Sequence, residues 1–154
     1  MFKTGLGQDS HAFETENTGK PLVLGGVEIP GCPGLAGNSD ADVVLHALTN
    51  AVSGISGSNV LGDVIDRMCL DEGITDSACY LAKALETLGE WNLTHVAISV
   101  EAKRPKLSKF IELIRKNSAG LCCLDVSDVG LTATTGEGLT AFGRGEGIQA
   151  FVIA

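Results

Sequence analysis

Leu93-Thr94-His95-Val96-Ala97-Ile98-Ser99-Val100-Glu101 sets Val96, Ile98 and Val100 on one face and His95, Ala97 and Ser99 on the other. That period of two reads as a strand. Downstream, Ser108 caps a predicted helix carrying Phe110, Ile111, Leu113 and Ile114 and stopping at Gly120, and Val129 to Thr134 reads as the next strand. Upstream, Thr75 or Asp76 opens a helix through Ala78, Leu81, Ala82, Leu85 and Leu88, with Gly89 as its stop. Ser39 or Asp40 opens another through Val43, Val44, Ala47, Leu48, Ala51 and Val52, ending near Gly54 or Gly57. Phe2 to Asp9 reads as a first strand, Leu22 to Ile29 as a hairpin or bent strand broken at Gly25-Gly26, and Pro30 to Asn38 as loop. Between the first two helices, Asp63, Asp66, Asp71 and Glu72 mark an acidic, exposed segment. The last strand, Ile148 to Ala154, is apolar on both faces and belongs at the centre of a sheet or against another subunit. This order predicts a single α+β domain over residues 1–154, a mixed four-stranded sheet with helices on one face.

The composition agrees with one domain: 154 residues, 44% of them hydrophobic, which excludes a disordered chain. The net charge of −8 excludes a general nucleic-acid or anionic-membrane binder, because either needs a basic face. An anionic small substrate would need locally placed cations instead. No apolar run approaches the roughly 18 residues of a membrane span, and the first residues lack a signal-peptide core. Five cysteines without a C-x-x-C spacing argue against a zinc ribbon and for reduced thiols in a cytoplasmic protein.

Three segments carry groups able to do chemistry. On an extended chain Asp9 and His11 point to the same side, and Gly5 and Gly7 before them leave backbone room for a bulky anion. His46 is the natural third donor, with Asp42 one helical turn earlier to orient it. Two histidines, one carboxylate and an open position make the catalytic arrangement for zinc or another divalent transition ion. The same residues also describe a turn at 9–11 and a satisfied core histidine at 46, and His95 reads as a core or interface histidine. Thr134-Thr135-Gly136-Glu137 is an oxygen-rich corner suited to Mg²⁺ or Mn²⁺ beside a diphosphate, or an ordinary glycine turn. Lys103-Arg104-Pro105-Lys106 is an anion contact or a solvated charge run, and Arg144 a phosphate contact or an intersubunit partner of a glutamate.

Five blocks run in a fixed order: G-x-G-x-D-x-H-x-F at 5–13, S-D-x-D-x-x-x-H-A-L at 39–48, P-K at 105–106, A-T-T-x-E at 133–137 and G-R-G-E-G-I at 143–148. Together they resemble the 2-C-methyl-D-erythritol 2,4-cyclodiphosphate synthase family across almost the whole chain. The resemblance implies a CMP-releasing cyclisation of 4-diphosphocytidyl-2-C-methyl-D-erythritol 2-phosphate, with Zn²⁺ on Asp9, His11 and His46 and Mg²⁺ or Mn²⁺ on Glu137 across the diphosphate. It implies that Ala102, Lys106, Leu107, Ala133, Thr134 and Thr135 surround the cytosine and diphosphate. Asn38 and Ser39 would lie at the erythritol phosphate and Asp63 near the sugar hydroxyls, Phe142 would be a further substrate-binding residue, and Arg144, also substrate-binding, would lie near the threefold axis of a homotrimer whose sites sit at subunit boundaries. The chain departs from the pattern at Asn38, where a histidine is usual, at Ile65, where a glycine is usual, and over Met68 to Glu72, in place of an F-P-D-T-D-like stretch. A zinc-dependent phosphohydrolase and a non-catalytic trimer with a ligand in an axial cavity are the competing classes.

Overall fold

In a computed structural model describing residues 1–16 and 18–154, the chain runs β1 (Leu6–Ala12), β2 (Pro21–Leu24), β3 (Val27–Pro33), α1 (Val43–Ser56), a short α2 (Asp63–Asp66), a π-helical turn (Arg67–Asp71), α3 (Ser77–Glu86), β4 (Val96–Glu101), α4 (Ile111–Cys122), β5 (Val129–Thr134) and β6 (Gly147–Ile153). Four strands form one sheet in the order β1-β6-β4-β5. The β1–β6 and β6–β4 pairs are antiparallel and the β4–β5 pair parallel, so the sheet is mixed as expected. β6 is central, which explains its apolar composition. Ile98 faces Val152 and Leu131 in one row, and Val100 faces Ala150 in the next, all buried on the helical side. α1 packs on β1 and β6, α4 on β5, and α3 against both helices. On the opposite face Leu6, Phe151 and Ile153 remain 66%, 43% and 51% exposed.

α1 is buried on nearly every side, as an apolar helix sandwiched between a sheet and a second helix must be. Its cap is Asp42, not Ser39 or Asp40. The Asp42 carboxylate accepts from the N–H groups of Val44 and Leu45 at 3.0 Å each, and from Gly25 at 2.9 Å and Gly26 at 2.6 Å. Gly25 and Gly26 have φ of 59° and 73°, the positive pair that a two-residue hairpin turn demands. The β2–β3 turn is thereby docked onto the start of α1. Ser39 and Asp40 instead form local turns, accepting from Ala41 N and Asp42 N.

The first strand begins at Leu6 and runs through His11, so Asp9 and His11 lie within it. Gly5 and Gly7 do not make room for an anion. A Cβ at Gly7 would overlap the Ala47 carbonyl oxygen, and one at Gly5 the Ala51 oxygen, so these glycines let β1 lie directly on the backbone of α1. The 30–38 loop is shorter than expected, because β3 continues to Pro33. α3 stops at Glu86 and turns through Gly89. A 3-10 turn at Leu107–Lys109 precedes α4, which passes Gly120 and ends at Cys122, with Cys123 left-handed at φ 55°. His95 is exposed just ahead of β4 and is no core residue. None of the five cysteines is disulfide-bonded.

Candidate metal centre

The close packing of β1 on α1 brings together three donors that lie far apart in sequence. Asp9 and His11, two residues apart on β1, share a face, and His46 approaches from the first turn of α1. Asp9 Oδ2 lies 3.2 Å from His11 Nε2 and 3.0 Å from His46 Nδ1. One donor atom from each residue falls within 4.8 Å of the others, and this is the one such group of histidine, cysteine and acidic side chains among the described residues. Ligand bonds of about 2.0–2.1 Å in a tetrahedron put neighbouring donors about 3.3 Å apart, so the spacing fits a divalent ion. The chemistry of the set fits too: a carboxylate oxygen and two imidazole nitrogens that converge are donors a divalent transition ion accepts. Asp9 and His11 keep side-chain exposures of 23% and 26%, which leaves the solvent side accessible for a further ligand.

The electrostatics follow from this convergence. Burial pushes the Asp9 carboxyl up, but the hydrogen bonds and charges of His11 and His46 outweigh it and hold the group down at about 2. The hydrogen bond to Asp9 raises His11 above its ordinary value, against partial desolvation. Asp42 does not orient His46; all its acceptor capacity goes to the four N–H groups of the hairpin and helix. His46 Nε2 instead meets Ser77 Oγ at 2.8 Å, and that hydroxyl bonds Asp40. The sequence offers Asp40 only as a helix cap and gives Ser77 no role, since nothing local connects either to residue 46.

The three donors open into a cavity of about 300 Å³. Asn38, Ser39, Asn50, Ile65, Asp66 and Cys69 line it as well. Asn38 and Ser39 thus share a cavity with the three metal donors. Asp63 does not line this cavity; Asp66, one turn further along α2, does. A separate cleft of about 350 Å³ gathers Ala102, Lys106, Leu107, Ala133, Thr134 and Thr135. Of the basic run, Lys103 and Lys106 line this cleft, while Arg104 stacks 4.5 Å over the Phe13 ring and bonds the Gly145 carbonyl. Glu137 stands exposed in a 3-10 turn (Gly136–Gly138) at φ 51°, outside the metal-donor group. The Phe142 carbonyl accepts from Lys103 N and Gly145 N. Arg144 pairs within its own chain, Nε to Glu146 Oε1 at 2.7 Å.

The YgbB family model matches residues 2–154. The chain belongs to the YgbB family. Among YgbB relatives, 2-C-methyl-D-erythritol 2,4-cyclodiphosphate synthase of Chlamydia felis is 42% identical over 154 residues, covering 99% of this chain and 88% of that protein. The bifunctional IspDF of Campylobacter jejuni superposes with a TM-score of 0.86 at 34% identity, over 97% of this chain and 40% of the longer one. A CDP-bound 2C-methyl-D-erythritol-2,4-cyclodiphosphate synthase superposes with a TM-score of 0.78 at 29% identity, over 98% of this chain and 97% of the other. Some of the positions that depart from the five-block resemblance border the metal cavity. Asn38, Ile65 and Cys69 all line it, and the Cys69 thiol donates to the Asn38 carbonyl at 3.4 Å.

Proposed function

We propose that this chain converts 4-diphosphocytidyl-2-C-methyl-D-erythritol 2-phosphate to 2-C-methyl-D-erythritol 2,4-cyclodiphosphate with release of CMP. The observation that carries the reading is the convergence of Asp9, His11 and His46 on a cavity whose wall presents Asn38 and Ser39. A divalent ion on these three, zinc by the donor set, supplies Lewis-acid polarisation of a phosphoryl oxygen, and Mg²⁺ or Mn²⁺ at Glu137 supplies charge neutralisation along the diphosphate. The Asn38 amide and Ser39 hydroxyl hold oxygens of the erythritol phosphate, with Asp66 or Asp63 on the sugar hydroxyls. Ala102, Leu107 and Ala133 wall the cytosine, while Lys106, Thr134 and Thr135 contact the diphosphate. An oxygen of the 2-phosphate attacks the β-phosphorus, the bond from that phosphorus to the bridging oxygen breaks, and CMP leaves with the electron pair. The attacking oxygen is already ionised, so no side chain has to remove a proton. Holding the two ends in line can supply about 7–11 kcal/mol of the barrier reduction.

The two half-sites of one chain support a homotrimer with sites at subunit boundaries. Asp9, Ala150, Val100 and Ala133 lie in one row across the sheet. Three strand spacings separate Asp9 from Ala133, about 14 Å, with the buried Ala150 and Val100 between them. A diphosphate cannot bridge that gap, whereas a cleft supplied by a neighbouring copy can meet the metal cavity directly. The uncovered Leu6, Phe151 and Ile153 provide the face for that neighbour, with Arg144 towards the axis and Phe142 among the substrate-binding residues. The cytoplasm suits five unpaired thiols. Phosphorus NMR of protein, substrate, Zn²⁺ and Mg²⁺ tests the reaction. A cyclic diphosphate with equimolar CMP is expected; a linear monophosphate or no turnover overturns it.

A further inference from the structure

Lys20 has acidic neighbours and pairs with none of them. Glu14, Glu16 and Glu28 line the same hollow, yet no carboxylate forms an ion pair with Lys20 among the described residues. Its ammonium donates instead to two main-chain carbonyls, Leu35 O at 2.8 Å and Gly37 O at 3.0 Å. Bonds from a cation to a peptide oxygen are stronger than those between neutral partners.

The segment so held backs the metal cavity. Leu35 pairs with Phe13 in an isolated antiparallel bridge, flanked by Glu14 N to Gly34 O at 2.9 Å and Ala36 N to Ala12 O at 2.8 Å. In that ladder the Leu35 carbonyl faces away from the Phe13 strand and needs a donor from elsewhere. Lys20 supplies it. The main-chain carbonyl of Lys20 accepts from Gly34 N at 3.0 Å, which keeps the lysine stem alongside. Gly37, Asn38 and Ser39 all line the metal cavity, and Lys20 does not. The Gly37 carbonyl and the Asn38 N–H belong to one peptide group, so a cation on the oxygen makes that N–H a stronger donor. The Asn38 N–H bonds no atom of the chain among the described residues.

We infer that Lys20 is a positioning residue: its ammonium braces the Leu35–Gly37 backbone and so fixes Asn38 and Ser39 at the wall of the cavity that receives a phosphoryl group. It acts through the segment and not by touching substrate. Asn38 brings no charge of its own, and Lys20 is the cation bonded to this wall. That the wall receives a phosphoryl group rests on the function proposed above; the brace itself does not.

Two substitutions separate the brace from mere packing. Lys20→Met keeps an unbranched apolar stem and removes the ammonium. Lys20→Arg keeps the charge and enough N–H donors for both carbonyls. Amide hydrogen exchange with Zn²⁺ present reads the segment through the Ala36 N–H, which lies between the two released carbonyls. In Lys20→Met it is expected to exchange at least fivefold faster, while the amides of β6 stay within twofold of the parent. Steady-state kinetics on the cytidyl substrate should show kcat/KM lowered at least tenfold. Zinc affinity by chelator competition should stay within threefold, because the three donors sit on β1 and α1 and not on the braced segment. Lys20→Arg should return the exchange rate and kcat/KM to within threefold of the parent. A smaller change in Ala36 exchange overturns the brace, as does failure of Lys20→Arg to restore it. Faster exchange with unchanged kcat/KM overturns the positioning role. A tenfold loss of zinc affinity in Lys20→Met moves the effect to the donors and overturns the assignment to this wall. A parent that does not turn over the substrate refutes the proposed function, and Ala36 exchange still decides the brace.

Discussion

Gly7→Ala tests the connection between fold and site. The new methyl group would collide with the Ala47 carbonyl oxygen and the Ala51 amide nitrogen, both main-chain atoms of α1 that no rotamer change can move aside. β1 must therefore retreat from α1 by roughly an ångström, and overpacking of this kind costs about 1–3 kcal/mol. At this chain length each kcal/mol shifts the melting temperature by about 2–4 °C, so a fall of about 2–12 °C is expected. The same retreat pulls Asp9 and His11 on β1 away from His46 on α1. Metal bonds tolerate only about 0.2 Å, so zinc affinity should fall at least about tenfold. Thermal denaturation and zinc titration by chelator competition measure the two effects on one sample. Gly120→Ala is the control: it lies inside α4 with open space around its Cβ position, and it should add about 0.5–1 kcal/mol. A Gly7→Ala protein with unchanged melting and unchanged zinc affinity refutes the claim that close strand–helix contact builds the site.

Asp42→Ala strips four N–H groups of their acceptor at once and should cost about 2–5 kcal/mol in urea denaturation; a loss below about 0.5 kcal/mol contradicts the docking of the β2–β3 turn on α1. The metal-free protein has a pH window set by its donors. His11, raised above 6.5, contributes stability that is full below 6.5 and lost as pH rises through its folded value; Asp9, lowered from 3.8 to about 2, contributes stability present above 3.8 and lost as pH falls through about 2. A metal must displace the His11 proton, so zinc affinity should drop about tenfold per pH unit below that raised value, and a flat profile in chelator competition refutes the assignment. Phe151→Asp puts a charge on the uncovered sheet face and should convert a trimer to folded monomers in analytical ultracentrifugation; a parent that is monomeric, or a variant that stays trimeric, removes this face from the assembly.

What the sequence shows and what it hides differ in range. The alternation at 96–101 and the apolar spacing of 43–52 are local signals, and both elements appear where those signals lie. The start of α1 is different. Ser39, Asp40 and Asp42 all offer capping oxygens, and the choice falls to Asp42 because Gly25 and Gly26, from a distant hairpin, supply it with two further donors. Gly5 and Gly7 announce a close approach without naming what approaches; the partner is the backbone of α1 and not an anion. For Asp9, His11 and His46 the spacing allows a metal triad or a turn with a core histidine, the five-block resemblance selects the triad, and the structure brings the three donors together. Their supports are not legible in the sequence, because Asp40 and Ser77 reach His46 only after α3 packs on α1. Glu137 marks the limit of any single-chain reading. It projects, exposed, from a left-handed residue outside the metal-donor group, and the role proposed for it beside the diphosphate calls for the second copy that the proposed trimer would supply.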